Sequence, residues 1–218
     1  DIDRSRGLGD VYKRQHPAKV SSIFSRLTNE LRIPIHGHFH NDFGLATANA
    51  LQAIQSGATC VDVTVNGLGE RCGISSLAEV TTSLDELFHV KNSWNFKILN
   101  DISSYVEKIS NITKNDIRPI TGKNAYTHNA GLHVSSVIKD SSFYEPTDPR
   151  KFNRKRHHYI DKFSGKDALN YRLKKLNIDL GEKELCELLF KIKSKPEVKK
   201  WSDEKLISLC HQFYKTHI

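Results

Sequence analysis

The run His36-Gly37-His38-Phe39-His40-Asn41-Asp42 constrains the fold more than any other stretch of the chain. Residues two apart in an extended segment project to the same side, so these histidines share a face at the end of a strand. Before them, Ile33-Pro34-Ile35 reads as a short buried strand. After them, the stretch from Phe43 to Ala50 turns directly into a helix of small residues. Strand, polar turn and helix in that order make a βα unit with its chemistry at the strand's carboxyl end. A His-x-His spacing alone suits satisfied surface or core histidines as well as a metal pair. Three alternating histidines followed by Asn-Asp at such a turn favour the metal.

A second unit follows. Residues Ala58 to Val65 read as another buried strand, and Asn66-Gly67-Leu68-Gly69-Glu70-Arg71-Cys72-Gly73 as a glycine-rich turn. Ser76 and Glu79 then predict a capping box opening an amphipathic helix, with Leu77, Val80, Leu84 and Leu87 on one face. Upstream, Val20, Ile23, Phe24, Leu27 and Leu31 recur at helical spacing. Downstream of the polar connection Lys91-Asn92-Ser93, the residues Ile98, Leu99, Ile102, Tyr105, Val106 and Ile109 predict a further amphipathic helix. Three more helices are expected from Ala168 to Leu176, Glu182 to Lys193 and Asp203 to Tyr214. The fold class is therefore α/β at the front and mainly helical behind.

Composition removes several function classes. The four cysteines, Cys60, Cys72, Cys186 and Cys210, form no Cys-x-x-Cys pair, so neither a zinc ribbon nor a disulfide framework is indicated and a reducing cytoplasm fits. Cys72 reads as a packing residue, with reactivity toward thiol reagents as the alternative. A formal net charge of +8 raises nucleic-acid binding. The basic residues, however, lie on helix faces and in tails rather than in an aromatic-interleaved RNA-binding motif, so no nucleic-acid partner is expected. No apolar run approaches ~20 residues, so no membrane span is expected. Residues 1–15 resemble a translated adapter and are expected to be non-native.

Three segments, His38-Phe39-His40-Asn41-Asp42, Asn66-Gly67-Leu68-Gly69-Glu70-Arg71 and Asn124-Ala125-Tyr126-Thr127-His128-Asn129-Ala130-Gly131-Leu132-His133, resemble three signatures of the homocitrate synthase and 2-isopropylmalate synthase family, in the family's order. Tyr144-Glu145 and Ser164-Gly165-Lys166 extend the resemblance, which runs from about residue 16 onward. The resemblance implies a TIM (β/α)8 barrel followed by small helical subdomains. It makes residues 16–95 the last two βα units of that barrel, 96–160 a first subdomain and 161–218 a second. A barrel of this kind takes ~250 residues, so the first six strands lie outside this sequence and the chain alone is expected to be an inactive fragment.

The implied reaction is a Claisen condensation of acetyl-CoA with a 2-oxo acid, in which a divalent metal (zinc, manganese, magnesium or cobalt) acts as template and Lewis acid. By resemblance His38 and His40 are metal ligands, Asn66 stands beside the metal, and the third ligand is an acid of the first strand. Asp42, Glu70 and Arg71 are substrate-binding or structural residues at the site, with Glu70 and Arg71 forming a structural salt bridge or contacting substrate. His133 matches the catalytic histidine and Tyr144 its tyrosine partner, both serving a neighbouring subunit in a swapped homodimer; His128 is a structural neighbour. Phe39 and Gly73-Ile74-Ser75 lean toward homocitrate synthase, with 2-oxoglutarate as substrate in lysine biosynthesis. 2-Isopropylmalate, citramalate and Re-citrate synthases are alternatives, and a non-catalytic assembly or binding protein is the alternative of another class. His36 replaces an acid of lysine-regulated homocitrate synthases, which puts lysine inhibition in doubt, and Asn153 and Asp161 replace glycines.

Overall fold

The computed structural model describes residues 15–128, 145–195 and 201–215. They fall into two compact units divided between Ala125 and Tyr126.

In the first unit, Pro17 sits at the first turn of helix α1 (Pro17–Glu30), where its missing N–H costs nothing. Val20 and Phe24 on its inner face bury against Ile35 and against Ala53 of helix α2 (Ala46–Gln55). Between the helices, strand β1 (His36–Gly37) pairs in parallel with strand β2 (Cys60–Val61), with His36 opposite Cys60 and Gly37 opposite Val61. The ladder is shorter and later than the expected Ile33-Pro34-Ile35 strand. Pro34 has no N–H to donate, and Ile33 is 63 % exposed. Ile35 is nevertheless held, its carbonyl accepting from the Thr59 N–H at 2.8 Å. The second strand likewise contracts from Ala58–Val65 to two paired residues, most of its neighbours being half-buried.

Helix α3 (Leu77–Glu86) starts at Ser76 without the expected capping box: the Ser76 side chain caps nothing. Glu79 is drawn elsewhere, accepting from Thr47 Oγ1 at 2.8 Å and facing Arg118 at 3.6 Å. The buried residues of α3 are Ala78, Val80 and Thr82, whereas Leu87 lies just past its end and is 69 % exposed. Asn95 caps the 3-10 turn Phe96–Ile98, accepting from the Lys97 N–H, and helix α4 (Leu99–Ser110) follows it. Asn111 ends α4 in the left-handed conformation at φ 54°. Leu99 and Ser103 are buried, while Ile98, Tyr105 and Ile109 are exposed.

In the second unit, strand β3 (Thr127–His128) pairs in parallel with strand β4 (His157–His158). Helices α5 (Lys166–Lys175), α6 (Glu182–Lys193) and α7 (Asp203–Lys215) close one core with Leu169, Leu173, Leu188, Ile192 and Leu206 at its centre. Arg172 ties α5 to α7 through two hydrogen bonds to the Asp203 carboxylate, at 2.7 and 2.8 Å. Asn153, at φ 53°, adopts a conformation that suits glycine, so the exchange noted at this position keeps its turn. Asp161 is buried, and its N–H donates to Ser164 Oγ.

Candidate metal centre

The two loops that follow β1 and β2 are locked together. Gly37 admits the Phe39 ring: a Cβ there would stand 2.7 Å from that ring, which also packs on Phe24 with centroids 5.8 Å apart. Anchoring Phe39 sends His38 and His40 to the opposite face. The Asn41 N–H donates to the Gly73 carbonyl at 2.9 Å, and Asn41 Oδ1 accepts from the Ala46 N–H at the start of α2. Gly73 has φ +80°, and a Cβ there would fall 1.9 Å from the Gly67 carbonyl oxygen, so only glycine fits. Arg71 donates from Nε and from a terminal nitrogen to the two oxygens of Asp42, at 2.8 and 2.9 Å. That bidentate pair holds the Asp42 carboxyl at about 2. Glu70, 3.9 Å from Arg71, is largely solvent-facing.

His38 and His40 bring their Nε2 atoms to 3.3 Å from each other. Two imidazole nitrogens each ~2.0–2.1 Å from one ion at a tetrahedral angle lie about 3.3–3.4 Å apart, so the pair has the span of a chelate. Among the described residues no group of three or more histidines, cysteines or acids is arranged to hold a metal. The residues present therefore fit two of an ion's ligands.

Behind them, Asp62 bridges two imidazoles, one oxygen 2.7 Å from His38 Nδ1 and the other 3.0 Å from His36 Nε2. The hydrogen bond from His38 and the neighbouring imidazoles pull its carboxyl below the ordinary range. Asn66, at φ 59°, is buried and turned toward α4: its Nδ2 donates to the Ser103 carbonyl at 2.9 Å and its Oδ1 accepts from Ser103 Oγ at 2.6 Å. Lys114 Nζ donates to the same Ser103 hydroxyl at 3.0 Å. Asn66 thus fastens the glycine turn to α4. The free thiol of Cys72 is exposed. His133 and Tyr144 lie outside the described residues, and of His128 only the backbone is described.

Both loops lie in a segment that is matched by a known family. A family model described as HMGL-like matches residues 7–106, and one described as homocitrate synthase post-HMGL domain-like matches residues 120–200. A homocitrate synthase of Pyrococcus horikoshii is 44% identical over 200 residues, 92% of this chain and 54% of the relative. The chain belongs to the HMGL-like, homocitrate synthase-related family. A homocitrate synthase of Pyrococcus abyssi is 42% identical over 207 residues, 94% of this chain and 55% of the relative. One of Sulfurisphaera tokodaii is 42% identical over 204 residues, 93% of this chain and 44% of the relative. The chain thus spans about half the length of the curated relatives it matches.

The HMGL-like family is a TIM-barrel family, and the first unit carries two parallel strands with helices. Three residues of the centre, Asp62, Ser103 and Lys114, are not among those expected from the sequence. Asp62 was legible in principle, being two positions beyond Cys60 on the face the histidines share. Ser103 and Lys114 carry no such signal, because Ser103 meets Asn66 only through packing of α4 and Lys114 reaches the same Ser103 hydroxyl from beyond that helix. No helix among the described residues is long and apolar enough to cross a membrane.

Proposed function

We propose that this chain is part of a metal-dependent homocitrate synthase, which joins acetyl-CoA to 2-oxoglutarate in the cytoplasm as a step of lysine biosynthesis. The observation that carries the reading is the His38–His40 pair, whose Nε2 atoms have the span of a chelate. It stands in a chain more than 40% identical to proteins named homocitrate synthase. In the whole protein, β1 and β2 are the last two strands of the barrel and an acid on another strand completes the ligand set. A divalent ion held there supplies a Lewis acid and a template for the 2-oxo acid's oxygens.

The chain's own residues have separate tasks. His38 and His40 hold the ion, and the Arg71–Asp42 pair keeps the loop that carries them closed on the glycine turn. A coordinating role for Asn66 requires its amide to leave Ser103, so its task in the present arrangement is to anchor that turn. His133, paired with Tyr144, moves the protons: one leaves the acetyl-CoA methyl, the resulting carbanion attacks the keto carbon, and the new alkoxide is protonated. Water then cleaves the thioester and releases CoA. His133 and Tyr144 serve the partner subunit of a homodimer.

The test is CoA release by the full-length protein with acetyl-CoA and each of 2-oxoglutarate, 2-oxoisovalerate and pyruvate. Release that depends on 2-oxoglutarate is expected. Release with 2-oxoisovalerate alone would move the assignment to 2-isopropylmalate synthesis, and no release with any 2-oxo acid would overturn it.

A further inference from the structure

The parallel register that pairs His36 with Cys60 and Gly37 with Val61 sets the next row as His38 beside Asp62. The Asp62 N–H donates to the Gly37 carbonyl at 2.9 Å, which pins its backbone against the end of β1. From that anchor the side chain rises on the face that carries His36 and His38. Each carboxylate oxygen meets a different imidazole, so the rotation of the group is set from both sides.

We propose that Asp62 is a positioning residue for the metal pair: it accepts the Nδ1 proton of His38 and so leaves the Nε2 lone pair of that ring facing the ion. The proposal rests on the reading of His38 and His40 as metal ligands. An ionised carboxylate has no proton to give, so the proton in the 2.7 Å contact sits on Nδ1. A neutral imidazole with Nδ1 protonated has Nε2 as its only lone-pair nitrogen. Nε2 is the atom that faces His40 at 3.3 Å. The two nitrogens lie on opposite sides of the ring, so a carboxylate on Nδ1 stands behind the ligand and does not compete for the ion. Such a partner fixes the tautomer and ring orientation and raises the basicity of the ligating nitrogen.

The experiment uses this chain, nitrogen-15 labelled and metal-free at neutral pH, followed by Zn²⁺ titration against a competing chelator. Long-range proton–nitrogen spectra are expected to show His38 as the Nδ1–H tautomer, and Asp62→Ala to lose that preference and weaken Zn²⁺ binding ~10–100-fold. Asp62→Asn, which keeps the shape and one accepting oxygen, is expected to fall between them, and it carries the comparison if the alanine variant does not fold. His38 found as the Nε2–H tautomer in the wild-type chain overturns the proposal. Zn²⁺ binding lost in His38→Ala but unchanged in both Asp62 variants overturns the role of Asp62 while leaving the metal pair standing. No Zn²⁺ binding by the wild-type chain overturns the metal reading and the proposal together.

Discussion

The two units bury their apolar residues differently. In the second, α5, α6 and α7 seal Leu169, Leu173, Leu188, Ile192 and Leu206 completely against one another. In the first, the fully sealed apolar side chains among the described residues are few, Val20 and the small Ala50 and Ala53. Among the described residues, the exposed large apolar side chains lie in the first unit except for Phe163 and Phe190. The unit that carries the histidines has a small core around Val20, Phe24, Ile35 and Ala53, and its two loops are fastened by glycine contacts, an ion pair and side chains that bind backbone. The other unit is held by a larger core. Position of a site and stability of a fold are separable here, and substitutions in the two units should fail in different ways.

The largest effect is expected in the core. Leu188→Ala should destabilise the second unit by about 2–5 kcal/mol, as deletion of a sealed leucine does, seen as a lower urea midpoint at unchanged slope. Imidazole signals of His38 and His40 should not move; if they do, the units are not separable in this sense. Next comes Gly73→Ala, which forces a Cβ into the Gly67 carbonyl at a positive φ. A cost of at least about 2 kcal/mol is expected, together with displaced His40 and Asn41 signals, because the Asn41 N–H bonds to the Gly73 carbonyl.

A smaller effect attaches to the loop ion pair. The Asp42 carboxyl is lowered from 3.8 to about 2 by Arg71. A depressed carboxyl stabilises the fold above its ordinary value, and that contribution is lost as pH falls from about 4 toward 2. Arg71→Ala should return the Asp42 titration, followed by carboxyl NMR, toward 3.8; a titration that stays near 2 would remove Arg71 as the cause. Smallest of all is Ile109→Ser on the exposed side of α4. Its side chain is 64 % exposed, so the unfolding free energy should change by no more than about 0.5 kcal/mol.

The same contrast explains what was legible in the sequence. Helices α5, α6 and α7 fall within two residues of the ranges expected from helical periodicity, because each buries an apolar stripe against its neighbours in the chain. The strands of the first unit were overestimated, since an apolar run records a capacity to pair and only the partner decides how many residues do so. Glu79 departs from the expected capping box for a related reason: its contacts are Thr47 and Arg118, remote in sequence, and they outcompete the local cap on Ser76. The histidine pair was visible as spacing. Its fastening was less so: Asp62 alternates onto the right face but meets His38 only through the strand register, and Ser103 reaches Asn66 only through packing.

The most direct measurement on the central claim is X-ray absorption at the zinc edge of the Zn²⁺-loaded chain, beside His38→Ala and His40→Ala. Two imidazole nitrogens at ~2.0–2.1 Å from the ion are expected, with one imidazole lost in each variant. An edge spectrum without imidazole scattering, or one unchanged by both substitutions, would contradict it.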